Sequence, residues 1–125
     1  PELECKNIQH KIDKRGPADL CILGFGKNGH IGFNEPGETL SAICHAMELS
    51  QETLRHPMID SLEKKPILGM TLGFRDILAA RKIILLISGE GKTEALSEFL
   101  NARITPQLPA SILWLHRNIE CLIYQ

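Results

Sequence analysis

One loop, residues 24–37 with the sequence GFGKNGHIGFNEPG, carries the side chains best suited to chemistry. His30 can give and take a proton near neutral pH, and a carboxylate such as Glu35 can hold an imidazole in one tautomer and stabilise its charged form. Asn28 adds a neutral amide to the cluster. The alternative is that His30 and Asn34 only stabilise turns, but the density of polar residues among glycines favours function. We therefore expect proton transfer on a small polar substrate.

The glycines of this loop also fit the G-x-G-x-x-G pattern of dinucleotide sites, at Gly24, Gly26 and Gly29. That pattern requires the last glycine to open a helix whose N-terminus holds the pyrophosphate. Gly32 and Pro36 follow too soon for a continuous helix. We therefore exclude nicotinamide and flavin and expect no cofactor.

A second glycine turn, residues 88–93 with the sequence SGEGKT, stands between a strand-like run and a helix-like run. It is not the phosphate loop of nucleoside triphosphatases, which needs a glycine where Leu86 stands. A strand, a glycine turn and a helix start still favour anion binding, because backbone N–H groups and Lys92 can hold a phosphate monoester. The alternative is a solvated Lys92 in the first helical turn.

The composition limits the partners. The 125 residues suit one domain, and 14 basic side chains balance 15 acidic ones. This balance predicts neither nucleic-acid nor membrane-surface binding. The longest apolar run, 83–87, is too short to cross a bilayer, and the first residues lack the basic head of a signal peptide. We expect a cytoplasmic protein.

Cysteines and histidines give no sign of a metal site. The four cysteines include no C-x-x-C pair, and the histidines, His56 among them, lack the paired spacing of a ligand set. Cys21 and Cys121 lie in apolar strand-like runs, so we expect both to be buried thiols.

Hydrophobic periodicity and turn residues predict the elements. Helices are expected at 2–14, 50–55, 74–80, 92–101 and 109–116, and strands at 19–23, 43–49, 67–73, 82–88 and 119–124. Ser50 should cap its helix and Pro57 should end it. Apolar strands that alternate with helices predict an α/β fold with an open parallel sheet and buried strands.

The loop at 24–37 resembles the signature loop of the glucosamine-6-phosphate deaminase family, also called the glucosamine/galactosamine-6-phosphate isomerase family. Later segments, GMTLGF at 69–74, GEGK at 89–92 and PASILWLH at 109–116, resemble this family in collinear order. The ending looks closest to the galactosamine-6-phosphate branch. The resemblance implies part of a Rossmann-like three-layer sandwich of the deaminase/6-phosphogluconolactonase type.

The resemblance also implies a reaction in which an amino-sugar phosphate is opened, isomerised from aldose to ketose and deaminated. Galactosamine 6-phosphate would yield tagatose 6-phosphate, and glucosamine 6-phosphate would yield fructose 6-phosphate. His30 would be acid and base in ring opening, oriented by Glu35. Asn28 stands where many members have aspartate, so electrostatic support of His30 would rest on Glu35.

Substrate-binding residues follow from the same resemblance. Lys92 matches the family's phosphate-binding lysine, and Gly29 belongs to the glycine loop that would contact the substrate. Arg55 is the nearest counterpart of the family's phosphate-binding arginine, although it is offset in alignment.

Family members are about twice as long as this chain. Their first half supplies a Ser/Thr-Gly phosphate loop and an acidic motif whose aspartate takes the proton from carbon 2, and neither motif is found here. We therefore expect residues 1–125 to be the carboxyl-terminal part of a single isomerase/deaminase domain, inactive alone. The expected partner is the missing amino-terminal half, which would cover an open sheet edge or face. A homo-oligomer is left open.

Two other functions stay open at this point. A 6-phosphogluconolactonase-like hydrolase would share the loop and the fold, but such enzymes usually lack the Phe-Asn-Glu-Pro-Gly run at 33–37. A non-catalytic domain would bind a hexose phosphate by itself and lose that binding in Lys92→Ala.

Overall fold

The structure, a computed structural model, describes residues 1–55 and 57–124, without the side chains at 52, 58 and 60. His56, considered above as a metal ligand, lies outside the described residues. The helices are α1 Glu2–Arg15, α2 Gln51–Leu54, α3 Pro57–Asp60, α4 Phe74–Ala79, α5 Thr93–Leu100 and a 3-10 helix Pro109–Leu115. The strands are β1 Leu20–Gly24, β2 His45–Glu48, β3 Leu68–Thr71, β4 Lys82–Ser88 and β5 Ile119–Tyr124.

A parallel three-stranded sheet with the order β1-β4-β5 forms the centre of the described chain. β1 pairs with β4 from Leu20 opposite Lys82, and β4 pairs with β5 from Ile83 opposite Ile119. The connections contain helices, as parallel pairing requires a crossover. The predicted α/β class is confirmed, and the KIILLIS strand lies at its predicted bounds, Lys82–Ser88.

One face of the sheet is packed against helices. The alternation of β4 directs Ile83, Leu85 and Ile87 to that side, and each is at most 2% exposed. The core also contains Phe25, Ile31, Phe74, Ile77, Ala80, Ala95, Leu96, Phe99, Leu108, Ala110 and Leu113. Two of these, Phe25 and Ile31, come from the glycine-rich loop, so the core holds the base of that loop in place.

The opposite face of the sheet is apolar and open. Leu20 and Ile22 of β1, Leu86 of β4, and Leu122 and Tyr124 of β5 are all exposed. The prediction that β1 is a buried strand is therefore wrong for one of its faces, because its residues alternate between the core and solvent. The open face agrees with the expectation that the chain is part of a larger sandwich.

The strands β2 and β3 form a separate antiparallel pair, in which His45 lies opposite Thr71. The expectation of one parallel sheet is wrong for these two strands, because strand pairing depends on long-range packing that a local apolar pattern does not specify. A side chain at Gly69 would collide with Phe33 and Leu49. The absence of that side chain lets β3 lie close to the glycine-rich loop.

The most buried thiols are not those that the sequence indicates. Cys121 is exposed on the edge strand β5, and Cys21 is half-buried, so the burial prediction is wrong for Cys121. Cys5 and Cys44 are buried instead, where α1 packs against the residues before β2. Gln9 of α1 anchors this contact, because its Oε1 accepts a hydrogen bond of 2.7 Å from the Cys44 N–H.

Helix starts mostly follow the predicted chemistry. Ser50 Oγ accepts a hydrogen bond of 3.1 Å from the Thr53 N–H and caps α2 as predicted. Pro109 opens the last helix as predicted, although that helix is of the 3-10 type. Pro57, expected to end a helix, begins α3 instead, since the first helical position needs no N–H partner. Within the described ranges, no helix is long and apolar enough to cross a bilayer.

Candidate active site

The glycine-rich loop leaves the carboxyl end of β1 beside the turn that follows β4. The Phe25 N–H donates a hydrogen bond of 3.0 Å to the Leu86 carbonyl oxygen, so the loop begins as an extension of the sheet. β1 and β4 are parallel neighbours, so their carboxyl ends lie at one edge. The loop at 24–37 and the turn at 89–91 therefore share the edge where open parallel sheets bind ligands.

Buried residues shape the loop into two consecutive turns. The Gly26 N–H donates to the His30 carbonyl at 3.0 Å, and the Asn34 N–H donates to the Ile31 carbonyl at 2.9 Å. The Asn34 side chain donates to the carbonyl oxygens of Ile31 and Leu72, at 3.0 and 2.9 Å. Asn34 is buried, and its side-chain amide pairs with backbone carbonyl oxygens inside the protein. For Asn34, the turn-stabilising interpretation therefore holds.

Close packing requires glycine at two positions of the loop. The His30 imidazole lies directly on Gly26, where an added Cβ would overlap the ring. Gly29 has a φ of 77°, and its Cβ would overlap Leu108. The Gly29 N–H donates a hydrogen bond of 3.0 Å to the Gly26 carbonyl oxygen. The Gly29 carbonyl oxygen accepts a hydrogen bond of 2.9 Å from the Ala110 N–H. Gly29 thus shapes the loop, and its contact with substrate stays a prediction.

Asn28 stands between His30 and Glu35. Its Oδ1 lies 2.7 Å from His30 Nδ1, and its Nδ2 donates a hydrogen bond of 2.8 Å to Glu35 Oε2. The direct distance from His30 Nδ1 to Glu35 Oε2 is longer, at 3.5 Å. The sequence indicates Glu35 as the group that orients the imidazole, and the structure adds the amide of Asn28 as the closer partner.

This network fixes the tautomer of His30. A carboxylate only accepts hydrogen bonds, so the Asn28 amide must turn its NH₂ group to Glu35 and its Oδ1 to His30. Oδ1 also accepts a hydrogen bond of 3.2 Å from the His30 backbone N–H. Because an amide oxygen can only accept, its contact of 2.7 Å with Nδ1 requires a proton on that nitrogen. The neutral imidazole therefore carries its proton on Nδ1 and leaves Nε2 unprotonated. The His30 side chain is 23% exposed, which leaves part of the ring accessible.

Glu35 is held by further donors from the start of α2. Its Oε1 accepts hydrogen bonds of 3.1 Å from Ser50 Oγ and 2.8 Å from Thr53 Oγ1. Burial raises the pKa of Glu35, but the nearby His30 and the hydrogen bonds with Asn28 and Thr53 outweigh burial and lower the pKa to about 2. Glu35 is therefore ionised near neutral pH and joins the loop to α2.

The contact between Thr53 and Glu35 is not predicted from the sequence. The sequence indicates Ser50 only as a helix cap, and the residue three positions after a cap faces the same end of the helix. That spacing is the only local signal for Thr53. Its contact with Glu35 crosses from helix to loop and depends on the tertiary fold.

Lys92 stands at the N-cap position of α5, directly after the glycine turn. Burial lowers the pKa of Lys92, and the positive charge of Lys27 lowers it further. Lys27 belongs to the glycine-rich loop, so the shared edge brings two cations together. Phosphate binding by Lys92 stays a prediction.

Among the described side chains, no group of three His, Cys, Asp or Glu residues could hold a metal ion.

Arg55 is exposed directly after α2, the helix whose start contacts Glu35. The structure therefore places it near the end of a segment that touches the site through Thr53. Its role in phosphate binding stays a prediction.

Residues 1–122 match the family of glucosamine-6-phosphate isomerases/6-phosphogluconolactonase. AgaI of Escherichia coli strain K12, which is provisionally named a deaminase, is 48% identical over 122 residues. A glucosamine-6-phosphate deaminase of Clostridium botulinum strain Kyoto (type A2) is 44% identical over 124 residues. Both alignments cover 98% of this chain but only 49% and 51% of the relatives, so the chain spans about half the length of the curated relatives it matches.

Solved structures also superpose on nearly all of this chain and on about half of their own length. A monomeric glucosamine-6-phosphate deaminase of the NagB superfamily superposes with a TM-score of 0.86 at 39% identity, over 98% of this chain and 52% of that protein. The 6-phosphogluconolactonase of Trypanosoma brucei superposes with a TM-score of 0.65 at 18% identity, over 95% of this chain and 49% of that protein, which shows the fold alone. The predicted fold type is confirmed. This chain belongs to the family of glucosamine-6-phosphate isomerases and 6-phosphogluconolactonases.

Proposed function

We propose that the protein to which this chain belongs converts a hexosamine 6-phosphate and water to a ketohexose 6-phosphate and ammonia. The observation that carries this proposal is the hydrogen-bonded row of His30, Asn28 and Glu35 at the carboxyl edge of the sheet. Relatives named as deaminases, at 48% and 44% identity, support the same reaction.

His30 is suited to open the sugar ring. Opening a cyclic hemiacetal removes a proton from the hydroxyl on carbon 1, breaks the bond between carbon 1 and the ring oxygen, and adds a proton to that oxygen. A neutral imidazole with a free Nε2 can take the first proton and, once charged, give it to the ring oxygen. One side chain then serves as base and as acid, and no net proton is consumed.

Asn28 and Glu35 would support His30 during this exchange. When Nε2 accepts the proton, the Nδ1–H remains directed at Asn28 Oδ1, 2.7 Å away. Glu35, whose pKa is about 2, stays ionised 3.5 Å from Nδ1 and favours the imidazolium. Asn28 and Glu35 would thus hold the orientation of the imidazole and lower the free energy of its charged form.

The later steps need a base at carbon 2, which we place on the other half of the domain. The open apolar face around Ile22, Leu86 and Leu122 supports such a second half, because parallel sheets are normally covered on both faces. We propose that residues 1–125 fold against that half as one domain and that the separated chain has no activity.

Galactosamine 6-phosphate is the first substrate to test, because the ending of the chain resembles the galactosamine-6-phosphate branch. Glucosamine 6-phosphate is the second. In either case Lys92 would contact the phosphate from the turn after β4, with the backbone N–H groups at the start of α5.

A 6-phosphogluconolactonase-like hydrolase is the second candidate, since a lactonase shares this fold with a TM-score of 0.65. In that reaction His30 would activate water for attack on the lactone carbonyl. The histidine and the phosphate site would be used in both reactions, so only the product distinguishes them.

The test is an assay of the full protein with both hexosamine 6-phosphates and with 6-phosphogluconolactone. We expect ammonia and ketohexose 6-phosphate in equal amounts from at least one hexosamine 6-phosphate. Lactone hydrolysis without ammonia would replace this proposal with the hydrolase. No turnover, together with saturable hexose-phosphate binding that Lys92→Ala abolishes, would indicate a binding domain.

A further inference from the structure

Lys27 and Lys92 lie next to each other although both are cations. A Cβ built on Gly91 would be 3.5 Å from Cδ and Cε of Lys27 and 3.7 Å from its Nζ. The end of the Lys27 side chain therefore runs over the residue directly before Lys92. These are ordinary van der Waals distances, so Lys27 lies in contact with the turn that precedes Lys92.

The repulsion between the two lysines is not relieved by an acidic partner among the described residues. The ion pairs seen among the described side chains include those of His30, Arg75, Arg81 and Lys82 but none of Lys27 or Lys92. Glu90 and Glu94 flank Lys92 in the sequence, yet both are exposed, and neither pairs with a lysine in the described part of the chain. Two adjacent cations without a counter-charge favour a bound anion.

The start of α5 adds backbone donors at the same place. The first helical hydrogen bond runs from the Leu96 N–H to the Lys92 carbonyl, at 2.8 Å. The N–H groups of residues 93–95 precede that bond, and no described side chain caps this end of the helix. Such N–H groups are oriented to donate to an anion.

We propose that Lys27 is a second phosphate-binding residue, which together with Lys92 and the start of α5 binds the doubly charged phosphate group of the substrate. The identity of the sugar rests on the proposed function, whereas the presence of the anion site does not. Two lysines supply the two positive charges that match a phosphate monoester near neutral pH. Because Lys27 and His30 share one loop, phosphate binding would also position the acid–base group.

The test compares Lys27→Gln, Lys92→Gln and Lys14→Gln in the full protein. Lys14 is an exposed lysine in the last turn of α1, before β1 begins, and serves as the matched control. Calorimetry measures the binding of inorganic phosphate and of a hexose 6-phosphate, and circular dichroism checks the fold. We expect each of the first two variants to weaken binding about ten-fold or more, as expected for a lost hydrogen bond to a charged group, and Lys14→Gln to bind like the wild type.

The outcomes separate this site from the proposed reaction. Phosphate binding that needs both lysines, in a protein that releases no ammonia, would support the site and refute the reaction. Ammonia release and phosphate affinity that are the same in Lys27→Gln and Lys14→Gln would refute the role of Lys27 and leave the reaction standing. Lys27→Arg, which keeps the charge, should retain most of the affinity.

Discussion

Thr53 Oγ1 donates a hydrogen bond of 2.8 Å to Glu35 Oε1 and so joins α2 to the glycine-rich loop. Thr53 is buried, and Ser50 Oγ lies 2.9 Å from its hydroxyl and 3.1 Å from the same carboxylate oxygen. Glu35 also accepts from Asn28, which contacts His30. Hydrogen bonds therefore run from α2 to the imidazole, and its position depends on a helix outside the glycine-rich loop.

Replacing Thr53 by valine removes this donor with little change in side-chain volume. We expect the pKa of Glu35 to rise from about 2 toward its ordinary value of 4.5, because one hydrogen bond that favours the charged form is lost. Carboxyl ¹³C shifts followed against pH measure this change. Thr53→Ser keeps a hydroxyl and should restore the low pKa. An equal Glu35 pKa in the wild type and in Thr53→Val would contradict the role of this contact.

The low pKa of Glu35 predicts a pH-dependent stability. Folding lowers this pKa from 4.5 to about 2, so the stabilisation is present above about pH 4.5 and is lost as the pH falls toward 2. Over this range the unfolding free energy of the wild type should fall further than that of Glu35→Gln, by roughly 3 kcal/mol at most. Denaturant titrations measure the difference.

The matched control for this experiment is Glu63→Gln, at an exposed position between α3 and β3. It should keep the pH slope of the wild type. Parallel slopes for the wild type and Glu35→Gln would show that Glu35 is not selectively stabilised in its charged form.

Asn28→Leu tests whether the amide fixes the tautomer of His30. Leucine is similar in size but neither accepts from His30 Nδ1 nor donates to Glu35. We expect a smaller fraction of neutral His30 with its proton on Nδ1, read from imidazole ¹⁵N shifts. Turnover should drop roughly ten- to hundred-fold, because a hydrogen bond to a charged group is lost.

Asn28→Asp is the companion variant, since it keeps an acceptor for His30 Nδ1 while placing a second carboxylate beside Glu35. It should retain more activity than Asn28→Leu. Unchanged ¹⁵N shifts and turnover in Asn28→Leu would mean that the amide does not orient the imidazole.

Gly26→Ala should disable the site while leaving most of the fold intact. A methyl group there would overlap the imidazole of His30 and displace it. Gly24→Ala is the matched control, because a Cβ at Gly24 meets nothing within 4 Å. Turnover and thermal unfolding of both variants give the comparison. If Gly26→Ala turned over like Gly24→Ala, the position of His30 on Gly26 would not matter for activity.

Local sequence patterns predict several of the elements that position this site. The continuous apolar run at 83–87 and the turn residues after it place β4 at its observed bounds. The short loop keeps His30 and Glu35 close because few residues separate them. The pattern does not show that Asn28 stands between them, since that depends on how the loop turns on Gly26 and Asn34. Contacts across the fold, such as that of Thr53, have no local signature.

Strand pairing also depends partly on contacts that a local sequence pattern does not specify. The apolar runs predict β1, β4 and β5 as strands of a parallel sheet, whereas their order β1-β4-β5 is known only from the structure. β2 and β3 pair antiparallel instead, and a local apolar pattern does not specify this direction. Burial of β1 is overestimated because its second apolar face has no covering layer in the described chain.

The most direct test of the central claim is ammonia release from hexosamine 6-phosphate by the full protein carrying His30→Ala. We expect a fall of about a hundred-fold to ten-thousand-fold, as for the loss of a general acid–base group. His10→Ala, which changes an exposed histidine of α1, should release ammonia at the wild-type rate. A rate in His30→Ala equal to that of His10→Ala at saturating substrate would contradict the account.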